Sequence, residues 1–212
     1  MISSMSVPGV ESSLESVISW LSTAENTIKA LTRPASLNKN RLDDQIRSLR
    51  GPLADIQSHG GQIESVATQA RQLVAQATNA RLAKRIDTKM KDMLSRLSKH
   101  LKLPRYEKLL ERATKLNESL AEVNVSLDDF NKRAQDIESW LNEASDGIAT
   151  GAAQSAIDAI ANDREAKRDS IERVLRDGRN LIGRKDVTDT SHVRDRIKVN
   201  YHFQIEDILS VI

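Results

Sequence analysis

The side chains able to do chemistry in this chain are few and scattered. Four histidines are present and no cysteine, so disulfides, thiolate metal ligands and a cysteine nucleophile are excluded. An imidazole serves as general base or metal ligand only beside a partner of the right type. His59, His100, His192 and His202 never stand four residues apart and never flank a carboxylate pair at metal-ligand spacing. They read as surface or seam-edge residues. The glycines of GGQIES, from Gly60, and of DGRNLIGRK, from Asp177, lack the spacing and the closing Lys-Ser/Thr of a phosphate loop. Serine is abundant, but no G-x-S-x-G turn raises one as a nucleophile. The expected catalytic, cofactor-binding and metal-binding residues are therefore none, and the chain reads as a non-enzyme without a cofactor.

Charge offers a second kind of chemistry. Arg164, Lys167, Arg168, Arg173, Arg176, Arg179, Arg184 and Lys185 form the densest basic stretch. Such a stretch suits actin, acidic lipid head groups or an acidic partner helix. Asp163, Glu165, Asp169, Glu172 and Asp177 interleave with it and supply partners four residues away, so the sequence alone favours a solvated, self-neutralised face. Over the whole chain 32 basic residues meet 30 acidic ones, which gives nucleic acid no field to follow. Residues 1–104 are net positive and residues 105–212 net negative, a weak pull toward end-to-end contact once salt screens it.

The elements that would position these groups are helices. Hydrophobic residues are 39% and aromatic ones only 3%, a profile poor for sheet and good for long amphipathic helices. Val10, Leu14, Val17, Leu21, Ala24, Ile28 and Leu31 recur at alternating spacings of four and three, one stripe of a helix. TRPAS, residues 32–36, should end it. A second stripe runs from Leu42 through Ile46, Leu49, Leu53, Ile56, Gly60, Ile63, Ala67, Ala70, Val74 and Ala77, with a kink or short break expected at Gly51-Pro52 and weakness at Gly60-Gly61. A third takes Leu82 to Leu101. Beyond Pro104, where a kink is expected, the most regular stripe runs from Leu109 through Phe130 to Ile148. Helices over about 153–183 and from about Ser191 complete the set, with DVTDTSH as turn and N-cap between them. Trp20 and Trp140 read as core anchors. The apolar runs are far too short to span a membrane, and the opening residues lack the pattern of a signal peptide.

The chain also repeats itself. Val10, Val17, Trp20, Ala24 and Leu31 match Leu120, Leu127, Phe130, Ala134 and Leu141 at an offset of 110; Ile63–Val74 matches Ile171–Ile182 at 108; Leu82 to Leu101 matches Val193 to Ile212 at 111. SWL recurs at Ser19 and Ser139, an offset of 120, which competes with the first of these; the 110 register is preferred because 120 demands compensating insertions. A tandem three-helix unit opened by a helix carrying Trp20-Leu21, followed by His59 with Ile63, then Arg71, Leu73 and Val74, and Arg105 with Leu109, resembles the spectrin-repeat superfamily. Phe130 in place of tryptophan and Pro104 in the third helix depart from that pattern and suit the divergent repeats of KASH nuclear-anchoring proteins, dystrophin relatives and plakins. The resemblance implies an all-α rod of two antiparallel three-helix bundles, residues 8–115 and 116–212, sharing a boundary helix over about 104–148. It implies a structural spacer of a large cytoskeletal linker, cytoplasmic and cytoskeleton-associated, with the cytoplasmic face of the nuclear envelope reached only through parts outside this chain. Its partners would be neighbouring repeats, actin or another cytoskeletal or motor-linked protein, with no nucleic acid and no direct membrane insertion, in a monomer or weakly self-associating chain. The alternative is a helical module of a signalling or trafficking adaptor that docks a partner helix.

Overall fold

A computed structural model describes residues 7–79, 103–149 and 154–202. Among these the chain is all-α: α1 (Val7–Leu31), α2 (Lys39–Asn79), α3 (Leu103–Ala149), α4 (Gln154–Gly183) and α5 (Ser191–His202). Two two-residue strands, β1 (Ala35–Ser36) and β2 (Val187–Thr188), pair in parallel with Ala35 opposite Val187. The stripe expected over Leu82–Leu101 lies outside the described residues, as does the effect of Pro104 on anything before Leu103.

Contacts divide the chain into two compact units. The first is Met1–Arg33 with Ile46–Glu118; the second is Pro34–Gln45 with Ser119–Ile212. In the first unit α1 and α2 lie antiparallel: Val10 meets Ala70, and Leu14 and Val17 cluster with Ile63 and Val66. Ile18, Trp20 and, from the start of α3, Tyr106 pack against that cluster. In the second unit α3 supplies Leu120, Val123, Leu127, Phe130, Ala134, Ile137, Leu141 and Ala144, all buried at the expected spacing. α4 adds Ile171, Val174, Leu175 and Leu181, and α5 adds Val193.

Of the kink or short break expected at Gly51-Pro52, the break does not occur, since α2 continues through Pro52. A proline inside a helix costs about 3 kcal/mol, but Leu49 and Ile56 on either side of it are both fully buried. Burying each such side chain is worth about 1.5–3 kcal/mol, so packing holds the helix across the fault. At Gly60 the helix also continues, and there the missing side chain is used: a Cβ would stand 2.8 Å from the Tyr106 hydroxyl, which instead donates a hydrogen bond to the Ile56 carbonyl at 3.0 Å.

The geometry corrects the register of the internal repeat. With Ile63 equivalent to Ile171, Ala70 corresponds to Gly178. Ala70 faces Val10, whereas Gly178 faces Phe130, so Phe130 stands where Val10 stands, at an offset of 120. Trp20 and Trp140 are then counterparts. The preferred offset of 110 fails because a slide of ten residues, one spacing of four and two of three, carries an apolar stripe onto itself. Periodicity cannot separate the two registers; the SWL triplets can. The two offsets of the corrected alignment differ by twelve residues, and Pro34–Gln45 is twelve residues long. Arg33 and Ile46 correspond to the neighbours 153 and Gln154. The first hairpin thus carries an insertion, and that insertion folds with the second unit.

At Gly178 α4 packs tightly against its neighbours. A Cβ there would lie 2.6 Å from Ile197 Cδ1 and 2.8 Å from the Phe130 ring. Overpacking of this kind costs about 1–3 kcal/mol, more than the roughly 1 kcal/mol by which alanine is the better helix former. Gly61, with nothing within 4 Å of its would-be Cβ, feels only the second effect. In chemical denaturation Gly178→Ala should lower stability and Gly61→Ala should raise it by about 0.5–1 kcal/mol; the same sign for both would refute the close approach at Gly178.

Candidate functional site

In the first unit the polar groups gather beside Trp20. This residue is half-buried at the rim rather than fully inside, which corrects its reading as a core anchor; among the described residues the largest fully buried side chain is Phe130. The reason is the indole N–H, which needs a partner and donates to Asp55 Oδ2 at 2.8 Å. His59 stacks on the indole with ring centroids 4.0 Å apart and planes 9° apart. Its Nδ1 lies 2.9 Å from the Asp55 carbonyl oxygen. A carbonyl only accepts, so Nδ1 carries the hydrogen and this face of the imidazole is no base. His59 is a seam-edge residue. His192 is exposed, and the side chains of His100 and His202 lie outside the described residues. Across the same unit Arg105 grips Glu25 with both arms, at 2.6 and 2.7 Å, and also reaches Ser22.

The second unit holds a denser polar node. Ala35 N–H donates to the Asp186 carbonyl at 2.8 Å and Leu37 N–H to the Thr188 carbonyl at 2.9 Å. Ser36 is 2% exposed; its hydroxyl donates to Asp189 at 2.7 Å and accepts from the Asn38 N–H, while its own N–H donates to Gln45 Oε1. Arg41 reaches the same Asp189 oxygen at 3.1 Å. Asp189 has φ 56°, a left-handed backbone that aspartate tolerates better than most residues. The Ser36 hydroxyl, then Arg41, hold its carboxyl below the usual range. Nearby Arg184 binds Asp186 through two nitrogens and Glu122 through a third.

Little of this node is legible in the sequence, because Ser36 and Asp189 are 153 residues apart. Among the described residues no group of three His, Asp or Glu side chains is placed to hold a metal, and no helix is long and apolar enough to cross a membrane.

The basic stretch is sorted by the fold. Arg168 pairs with Glu172 at 3.4 Å, and Arg184 with Glu122 and Asp186. Asp177, expected to neutralise its own helix, instead binds Arg133 of α3 at 2.7 Å. Arg173, Arg176 and Arg179 are exposed and have no carboxylate partner among the described residues. The interleaved acids thus close an ion pair along α4 at Arg168 and none at these three exposed positions among the described residues. A groove between α3 and α4 lined by Asp129, Arg133, Asp177 and Arg184 has its charges matched internally.

Against protein-family models, curated proteins and solved structures the chain finds no match.

Two outcomes follow from the geometry. Trp20→Phe keeps the ring but removes the donor to Asp55, and should cost about 0.5–1.5 kcal/mol; no change in thermal stability would discount that bond. Arg184 holds the Asp186 carboxyl down at about 2. A carboxylate depressed on folding stabilises the protein above its ordinary range, and that stabilisation is lost as pH falls from about 4 toward 2. At 47% exposure of Asp186 the contribution is small, so the titration itself is the test. Carbon-detected NMR should place the Asp186 midpoint near 2, and Arg184→Gln should raise it toward the ordinary range, with a backbone N–H and Ser119 still holding it somewhat below; an ordinary midpoint in the parent protein refutes the ion pair.

Proposed function

We propose that the chain is a non-catalytic structural spacer: two tandem antiparallel three-helix bundles, similar to divergent spectrin repeats, forming a rod segment of a larger cytoskeletal linker. The observation that carries this reading is the repeated helix pairing. The same antiparallel register, with SWL at equivalent places, recurs in both units, and α3 supplies residues to both. At 1.5 Å per residue the 47 residues of α3 extend about 70 Å. Long amphipathic helices with few concave, chemically equipped sites suit length and elasticity better than turnover. Neighbouring repeats would join it end to end, and actin or a motor-linked cytoskeletal protein would be its outside partner, in the cytoplasm. A second reading, an adaptor module that docks a partner helix, draws on the unpaired arginines of α4.

Small-angle X-ray scattering tests the spacer. Helices of about 30–35 residues in two stacked units give a particle about 100 Å long, and the distance distribution should carry the long tail of a rod. A symmetric, globular distribution would overturn the reading.

A further inference from the structure

Arg173, Arg176 and Arg179 stand within two turns of α4, over a rise of about 9 Å. All three are exposed, and the carboxylates nearest them in sequence are engaged elsewhere, Glu172 with Arg168 and Asp177 with Arg133. Asp169, one turn before Arg173, forms no ion pair with it, and Arg176 and Arg179 have no acid of their own. These two line a groove of about 400 Å³ together with Glu172, Leu175 and Asn180. The groove combines two fork-shaped donors, an amide and the Glu172 carboxylate, which Arg168 already engages, over the buried Leu175.

We propose that this face of α4 docks an acidic helix of a partner protein. Arg176 and Arg179 are about 4.5 Å apart along the axis, close to the separation of carboxylates one turn apart on a facing helix. Each guanidinium presents two parallel N–H groups to a carboxylate, and Asn180 adds a neutral donor and acceptor. A lipid surface fits less well. It requires apolar anchors beside the cations, and the large exposed hydrophobic residues among those described are Val125 on α3 and Val199 on α5, neither on α4. Nucleic acid fits less well again, because the chain as a whole is nearly neutral. The inference goes beyond the spacer reading and does not rest on it.

The test titrates the full chain into a fluorescein-labelled helical peptide of 18 residues, about five turns, bearing glutamates one turn apart on one face with leucine between them. Fluorescence anisotropy should show saturable binding that weakens with salt. Affinity should fall at least tenfold in the double variant Arg176→Gln with Arg179→Gln, a loss of about 1.4 kcal/mol, and partly in each single variant. Arg194→Gln on α5 should leave it unchanged, and a peptide with glutamine for glutamate should not bind. Both side chains are exposed and unpaired, so the variants should melt with the parent protein. Three results would overturn the proposal: no saturable binding of the acidic peptide, equal affinity in the double variant, or binding to phosphatidylserine vesicles, sensitive to the same substitutions, without binding to the peptide.

Discussion

One constraint governs the structure: each helix has a single apolar stripe, and the first two helices of each unit must lay those stripes together antiparallel in one register. The three-four alternation fixes which residues face inward but not how far one helix slides along the other. Slides of seven or ten residues preserve the stripe, so what selects among them is the fit of particular side chains. Phe130 settles the second unit because its ring needs the space that Gly178 leaves and that Ile197 closes. In the first unit Val10 and Ala70 occupy the corresponding positions as a smaller pair. The two units solve the same problem with different divisions of volume.

From that register follows the place of the polar groups. Trp20, three turns from Val10, arrives at the rim, where its N–H meets Asp55 and its face meets His59. Tyr106 reaches across to the helix backbone beside Gly60, and Arg105 closes on Glu25. In the second unit Arg133 draws Asp177 away from its own helix, and Arg196 holds Glu138 with both arms. Each of these links joins two helices, whereas Arg173, Arg176 and Arg179 on α4 make no such link among the described residues.

How much of this could be read beforehand depended on range. The helix ends at Leu31 and Gly183 and the start at Ser191 were legible from TRPAS and DVTDTSH, because proline, small polar residues and N-caps act within a turn or two. Buried positions such as Leu14, Leu127 and Ile137 followed from periodicity. A break at Pro52 follows from local propensity alone; the burial of Leu49 and Ile56 outweighs it. Trp20 has the size of a core residue, while its N–H requires the rim. Spacing along α4 cannot show that Asp177 faces α3. The pairing of β1 with β2 had no signal at all, since two residues are too few for a pattern.

The inserted segment Pro34–Gln45 has a consequence for how the chain folds. Its contacts are with Asn124 and Asp128 and with residues 186–189, and the Ser36 to Asp189 bond closes a loop of about 150 residues. The rest of the second unit is made of neighbours in sequence, α3 with α4 and α4 with α5, and such local contacts form fast. The buried serine, its N–H already held by Gln45 within its own segment, must therefore wait for a partner about 150 residues further along the chain. Docking of this segment is thus the step of highest contact order among the described contacts of the second unit, and it ties the first turns of α2 to a unit the rest of that helix does not belong to.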